Sequence, residues 1–109
     1  MNAKEREAVQ ACVRMLEEAQ AHLGLKLPIR RIQELAVLAD QEMKPRELYD
    51  AIGHKARSID TDMTAMGPDD HLPRLGLVEA GPSPTRGIYT FRLTAKGAEV
   101  IERIASRLS

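Results

Sequence analysis

Three consecutive stretches decide the reading: KPRELYDAIG (Lys44–Gly53), HKARSIDTDMTAM (His54–Met66) and LGLVEAGPSPTRGIYTFRLTAKG (Leu75–Gly97). The third is the clearest. Leu77–Ala80 and Ile88–Leu93 are short β-prone runs, and the Gly, Pro, Ser, Thr and Arg residues between them predict an antiparallel hairpin with an exposed tip. Thr94 then fits a helix N-cap, its hydroxyl accepting from an early backbone N–H, with Ala95, Lys96 and Ala98 as helix formers. In the first stretch Lys44 precedes Pro45, a combination that ends one element and begins a helix. Leu48 and Ile52 stand four apart on that helix with Tyr49 beside them, and Gly53 can supply the left-handed backbone of a turn, which a Cβ makes costly. In the second, Ser58 is a candidate cap for a helix whose Ile59, Met63 and Met66 share one face. Lys55 and Arg57 lie just upstream.

Gly67 and Pro68 interrupt that helix. Proline in a helix interior costs roughly 3 kcal/mol, and a continuous helix from Ser58 to Leu75 would meet that cost at Pro68 and again at Pro73. The expectation is a helix of about two turns over Ser58–Met66, a break at Gly67, then an acidic connection through Asp69 and Asp70 and a short turn ending at Leu75.

Outward from this centre, Ala3–Leu23 is helical by pattern. Val9, Cys12, Val13, Leu16 and Leu23 form one apolar stripe, and Gly24 is a stop. Pro28 suits a first helical position, and Ile32, Leu35, Ala36, Leu38 and Ala39 give the following helix a wide apolar arc ending near Met43. The last helix, Thr94–Leu108, aligns Ile101, Ile104 and Leu108. The fold class expected is mainly α with a small antiparallel β-hairpin (α+β), one domain over 1–109: an N-terminal helix in 1–24, a central unit in 28–97 and a C-terminal helix in 94–108.

A chain of 109 residues has room for one core, burying roughly two-thirds of the surface its unfolded form exposes. Tyr49, Tyr89 and Phe91 are the only aromatics, so aliphatic and Met side chains must fill it. Cys12 is alone, which excludes an intramolecular disulfide and fits a reducing compartment. No apolar run approaches the ~20 residues of a membrane span, and MNAKEREAVQ is too charged for a signal peptide. A cytoplasmic protein without membrane contact is the expectation. His22, His54, His71 and Cys12 lack metal-ligand spacing, and no nucleophile motif or glycine-rich phosphate loop occurs. Neither a metal, a cofactor nor a catalytic residue is expected.

Net charge is zero but unevenly spread. Residues 1–24 sum to −1, 25–58 to +2, 59–79 to −4 and 80–109 to +3. Positive charge gathers before the second helix of the central unit and again around the hairpin.

Two helices, a hairpin whose loop carries an arginine, and a closing helix follow the order of a winged helix-turn-helix. The run LGLVEAGPSPTRGIYTFRLTAKGAEVIERIA resembles the wing and following helix of MarR-like and PadR-like regulators, which commonly read GLV, a hairpin, then LT-x-x-G into a helix. Gly76, Leu77, Val78, Leu93, Thr94 and Gly97 carry the match, and KPRELYDAIG looks like the first helix of their helix-turn-helix. The likeness covers about half the chain. The departure lies between Gly53 and Gly76, 23 positions apart, several more than an uninterrupted recognition helix needs.

The resemblance implies a homodimeric regulator of transcription, as a repressor, that binds double-stranded DNA. A recognition helix offers its N-terminal residues to base edges in the major groove while a wing tip reaches the backbone or minor groove. On that geometry Arg46, Lys55, Arg57, Ser58, Thr61, Thr64, Thr85 and Arg86 are the candidate DNA contacts. Val9, Cys12, Val13, Leu16, Ile101, Ile104 and Leu108 are the candidate dimerisation residues. A DNA-binding role in plasmid or phage partition would look alike in sequence. The alternatives are a protein-interaction module docking a basic partner through Asp60 and Asp62, and a regulator whose Met15, Met43, Met63 and Met66 line a pocket for a small-molecule inducer.

Overall fold

A computed structural model describes residues 2–68, 75–83, 85 and 87–109. It is mainly helical with one small antiparallel sheet: α1 (Ala3–Ala21), α2 (Ile29–Asp40), α3 (Pro45–Ile52), α4 (Ala56–Met66), β1 (Val78–Pro82), β2 (Tyr89–Leu93) and α5 (Ala95–Leu108). Among the described residues no helix is long and apolar enough to cross a membrane.

Asn2 caps α1, its Oδ1 accepting from Glu5 N–H at 2.8 Å, which satisfies a donor the helix itself cannot. Residues 2–10 are all exposed, and burial begins only towards the far end at Ala19 and Gln20. Gln20 pins the connection to α2. Its amide donates to Leu27 O (3.1 Å) and accepts from Leu27 N–H (2.6 Å), so a buried amide acts as a backbone substitute where no ladder exists. Pro28 is the extended residue before α2 rather than its first helical residue.

Helix α2 stops at Asp40, short of the expected Met43, because Met43 pairs with Phe91. Met43 N–H donates to Phe91 O (3.0 Å) and Phe91 N–H to Met43 O (2.7 Å), an antiparallel bridge that lays a third extended segment beside β2. Helix α3 has the expected bounds. Glu47 accepts from Lys44 N–H at its start (2.8 Å), and Gly53, at φ +71°, ends it by donating to Tyr49 O (2.9 Å).

Helix α4 begins two residues before the expected cap. The N–H groups of Ser58 and Ile59 both bond to Lys55 O (3.0 and 3.2 Å), so the helical ladder starts after Lys55 and Ser58 lies in the first turn. The helix therefore has 11 residues, about half a turn more than expected. It does end at Gly67, in extended conformation, as the proline argument required. The acidic connection at Asp69 and Asp70 lies outside the described residues. Beyond it the chain folds back along the end of α4, with Leu77 N–H donating to Met66 O at 2.7 Å.

The hairpin pairs Val78 with Leu93, Glu79 with Arg92, Ala80 with Phe91, Gly81 with Thr90 and Pro82 with Tyr89. Gly81 and Pro82, expected in the tip, extend β1 instead. Pro82 is the last residue of its strand, where a missing N–H does least harm. Thr94 then joins hairpin to helix. Its Oγ1 donates to Gly76 O (2.6 Å) and accepts from Gly97 N–H (3.0 Å), while its own N–H donates to Leu77 O (3.0 Å).

One core serves these elements, with Leu35, Leu48, Ile59, Met66, Leu77 and Ile104 at its centre. The molecule is 48 Å long but only 28 by 26 Å across.

Candidate nucleic-acid interface

Helix α4 divides by its 3.6-residue period. Ile59, Asp62, Met63 and Met66 are buried, while Arg57, Asp60, Thr61 and Thr64 form an exposed stripe on the other side. The hydroxyls of Thr61 and Thr64 donate back to Arg57 O and Asp60 O, each at 2.9 Å, which leaves their lone pairs and methyl groups outward. Lys55 is exposed at the helix start, where unpaired N–H groups and the helix dipole favour an anion.

The other predicted contacts are less uniform. Arg46 is exposed on α3 and faces Asp50 at 3.6 Å, an open pair of little energetic weight. Ser58 is half-buried, and Thr85 is exposed at the hairpin tip. Arg86 lies outside the described residues. The structure thus brings Lys55, Arg57, Thr61 and Thr64 onto one helix surface, with Arg46 on the preceding helix.

What holds α4 in place was not read from the sequence. Asp62, 1% exposed, accepts from Arg30 Nε (2.6 Å) and Nη2 (3.0 Å) and from Arg31 Nε (3.0 Å), tying α4 to the start of α2. Burial alone would raise the Asp62 carboxyl, but hydrogen bonds from Arg30, first, and from Arg31 outweigh it and hold the group at about 2. Glu34, 0% exposed on α2, has the opposite fate. Burial first, and the neighbouring Asp62 carboxylate second, push it up to about 9, past the lowering effect of the two arginines. A signal existed: Asp62 falls within the Ile59–Met63–Met66 stripe, and a carboxylate on a buried stripe needs cationic partners.

This burial removes Asp62 from any docking surface. Asp60 is exposed, but its Oδ1 accepts from Tyr49 OH at 2.6 Å, and that bond, with a smaller contribution from burial, pushes the Tyr49 phenol up to about 12. The four methionines do not line one pocket: Met63 and Met66 are core residues, Met43 sits in the bridge to Phe91, and Met15 is exposed on α1.

Of the candidate dimerisation residues, Val9, Cys12 and Leu108 are exposed, Val13 is half-buried, and Leu16 and Ile101 pack partly on the core. Ile104 is a correction. At 1% exposure it is consumed in the protomer's own core, because the α5 face that meets α1 and α2 is centred on Val100 and Ile104. No three His, Cys, Asp or Glu side chains gather at metal-binding distance among the described residues.

No protein-family model matches the chain, and no curated protein is detectably similar to it.

Proposed function

We propose that this chain is a winged helix-turn-helix protein that binds duplex DNA as a homodimer and represses transcription by occupying an operator. The observation that carries the reading is the exposed stripe of α4. It follows a glycine turn from α3, begins with Lys55 and Arg57, and continues with two threonines whose outward atoms suit base edges. The order of elements supports it: helix α2, the extended segment at Met43, helices α3 and α4, then a hairpin. Burial of Asp62 supports it too, since one of the two carboxylates that would have opposed phosphate is neutralised inside the protein.

A dimer accounts for α1, which carries apolar Val9 and Met15 into solvent, 51% and 48% exposed. Pairing through this arm would set two α4 helices on half-sites ~34 Å apart or a multiple of that. Sedimentation should find a dimer at micromolar concentration. Val9→Glu, on an open helix face, should leave the fold intact and give monomers. Selection from a random duplex library should return paired half-sites for the wild type. A wild-type monomer that shifts no duplex at low salt would overturn the proposal.

A further inference from the structure

An open cleft of about 470 Å³ lies between the α3–α4 pair and the hairpin, within the roughly 300–1,000 Å³ typical of small-molecule sites. Its apolar wall comes from Met63, Val78 and Phe91, and its polar wall from Tyr49, Asp60 and Tyr89. Tyr89 is half exposed, at 52%, and makes a T-shaped contact with Phe91, with ring centroids 5.9 Å apart and planes at 78°. That contact fixes one ring and leaves much of its surface open beside the cleft.

Charge selects what could enter. No Lys or Arg is among the described residues that line the cleft, and its two carboxylates belong to Asp60 and Glu79. Glu79 is already engaged across the strands by Arg92 Nε at 3.0 Å. Asp60 accepts only a neutral phenol hydroxyl, on Oδ1, so its charge is uncompensated among the described residues. An anion placed here would face a carboxylate without a counter-charge among the described residues. A cation would meet that carboxylate, a half-exposed aromatic ring and an apolar wall suited to its hydrocarbon part.

We propose that this cleft is a binding site for a small organic cation, an aryl or alkyl amine or amidine, with Asp60 pairing its charge and Tyr89 covering its ring or chain. Because Asp60 and Thr64 lie both on the exposed stripe of α4 and in the cleft wall, a bound cation occupies ground next to the proposed DNA-reading surface. The site itself does not depend on DNA binding, and its test uses the protein alone.

The full chain, isotope-labelled, is titrated with benzamidine, and with benzamide and benzoate as neutral and anionic counterparts of the same shape. Benzamidine should produce saturable shifts centred on Tyr49, Asp60, Thr64 and Tyr89, and the two counterparts should not. Asp60→Asn keeps an acceptor for the Tyr49 hydroxyl and should weaken benzamidine about tenfold, the loss of one charge-assisted contact. Tyr89→Ala, at an exposed position, should weaken it about threefold. Equal binding of benzamide or benzoate, shifts centred elsewhere, no saturable shift, or an Asp60→Asn variant that binds benzamidine like the wild type would each overturn the assignment.

Discussion

Gly97→Ala is expected to destabilise the fold by at least ~3 kcal/mol, the upper range for overpacking a filled site, and to lower the melting temperature by more than ~10 °C. A Cβ at Gly97 would stand 1.9 Å from Leu77 O and 2.9 Å from Leu77 C, both backbone atoms with nowhere to swing. The same carbonyl accepts from Thr94 N–H, so moving it would also strain the junction between hairpin and α5. Alanine is the better helix former by about 1 kcal/mol, and that gain is too small to offset the clash. Gly53→Ala provides the comparison. Gly53 has a left-handed φ of +71° but open space around its missing Cβ, so alanine there costs only the ~1–2 kcal/mol of the unfavourable backbone. Thermal or denaturant unfolding should rank Gly97→Ala well below Gly53→Ala. The reverse order would mean that α5 does not seat on Leu77 as described.

The second large effect is a decline of stability with rising pH, removed by Glu34→Gln. Both Glu34 oxygens are buried and accept no hydrogen bond from a described residue. With its carboxyl at about 9 in the folded protein against an ordinary 4.5, folding takes up a proton throughout that window. The folded state binds more protons than the unfolded chain, so stability is full below 4.5 and falls as pH rises to 9, by up to ~1.4 kcal/mol per unit. Asp62 works the other way. Held at about 2 against 3.8, it contributes stability above 3.8 that is lost as pH falls through 2. The two slopes place the maximum near pH 4, with a loss of up to ~4 kcal/mol between pH 5 and 8. In a domain whose whole stability is of order 5–15 kcal/mol, such a loss is large. A glutamine amide has nearly the same shape as the protonated acid but no ionisable proton. Glu34→Gln should therefore match the wild type near pH 4 and exceed it at pH 8. A wild-type profile that is flat from pH 5 to 9, or a variant that declines in parallel, would remove Glu34 as the cause.

The contrast between these residues explains what was legible in the sequence. Local rules carry their own signals: Pro45 opening α3, Gly53 closing it, Thr94 capping α5 and Gly67 ending α4 are all decided within a few residues of chain. The Met43–Phe91 bridge and the clasp of Arg30 and Arg31 on Asp62 join residues 48 and about 30 positions apart, and no local pattern marks them. The start of α4 departs from its sequence signal for a related reason. Ser58 looks like a cap by type, but Lys55 O is already positioned to open the ladder. For the candidate site, the exposed positions Arg57, Thr61 and Thr64 follow from helical period alone. The same period turns Asp62 inward, but the partners that make its burial tolerable, Arg30 and Arg31, lie on another helix and are not marked by any local pattern.

The salt dependence of duplex binding tests whether the α4 stripe meets DNA. If Lys55 and Arg57 contact phosphates, log affinity for a duplex should fall linearly with log salt, and each replacement by alanine should lessen the slope by roughly 0.9. The double variant Lys55→Ala/Arg57→Ala should thus bind more weakly at low salt and lose nearly two units of slope, with its unfolding transition unchanged because both side chains are exposed. A wild type that does not bind duplex at low salt, or a double variant with the wild-type affinity and slope, would contradict the assignment of the α4 stripe as a DNA-reading surface.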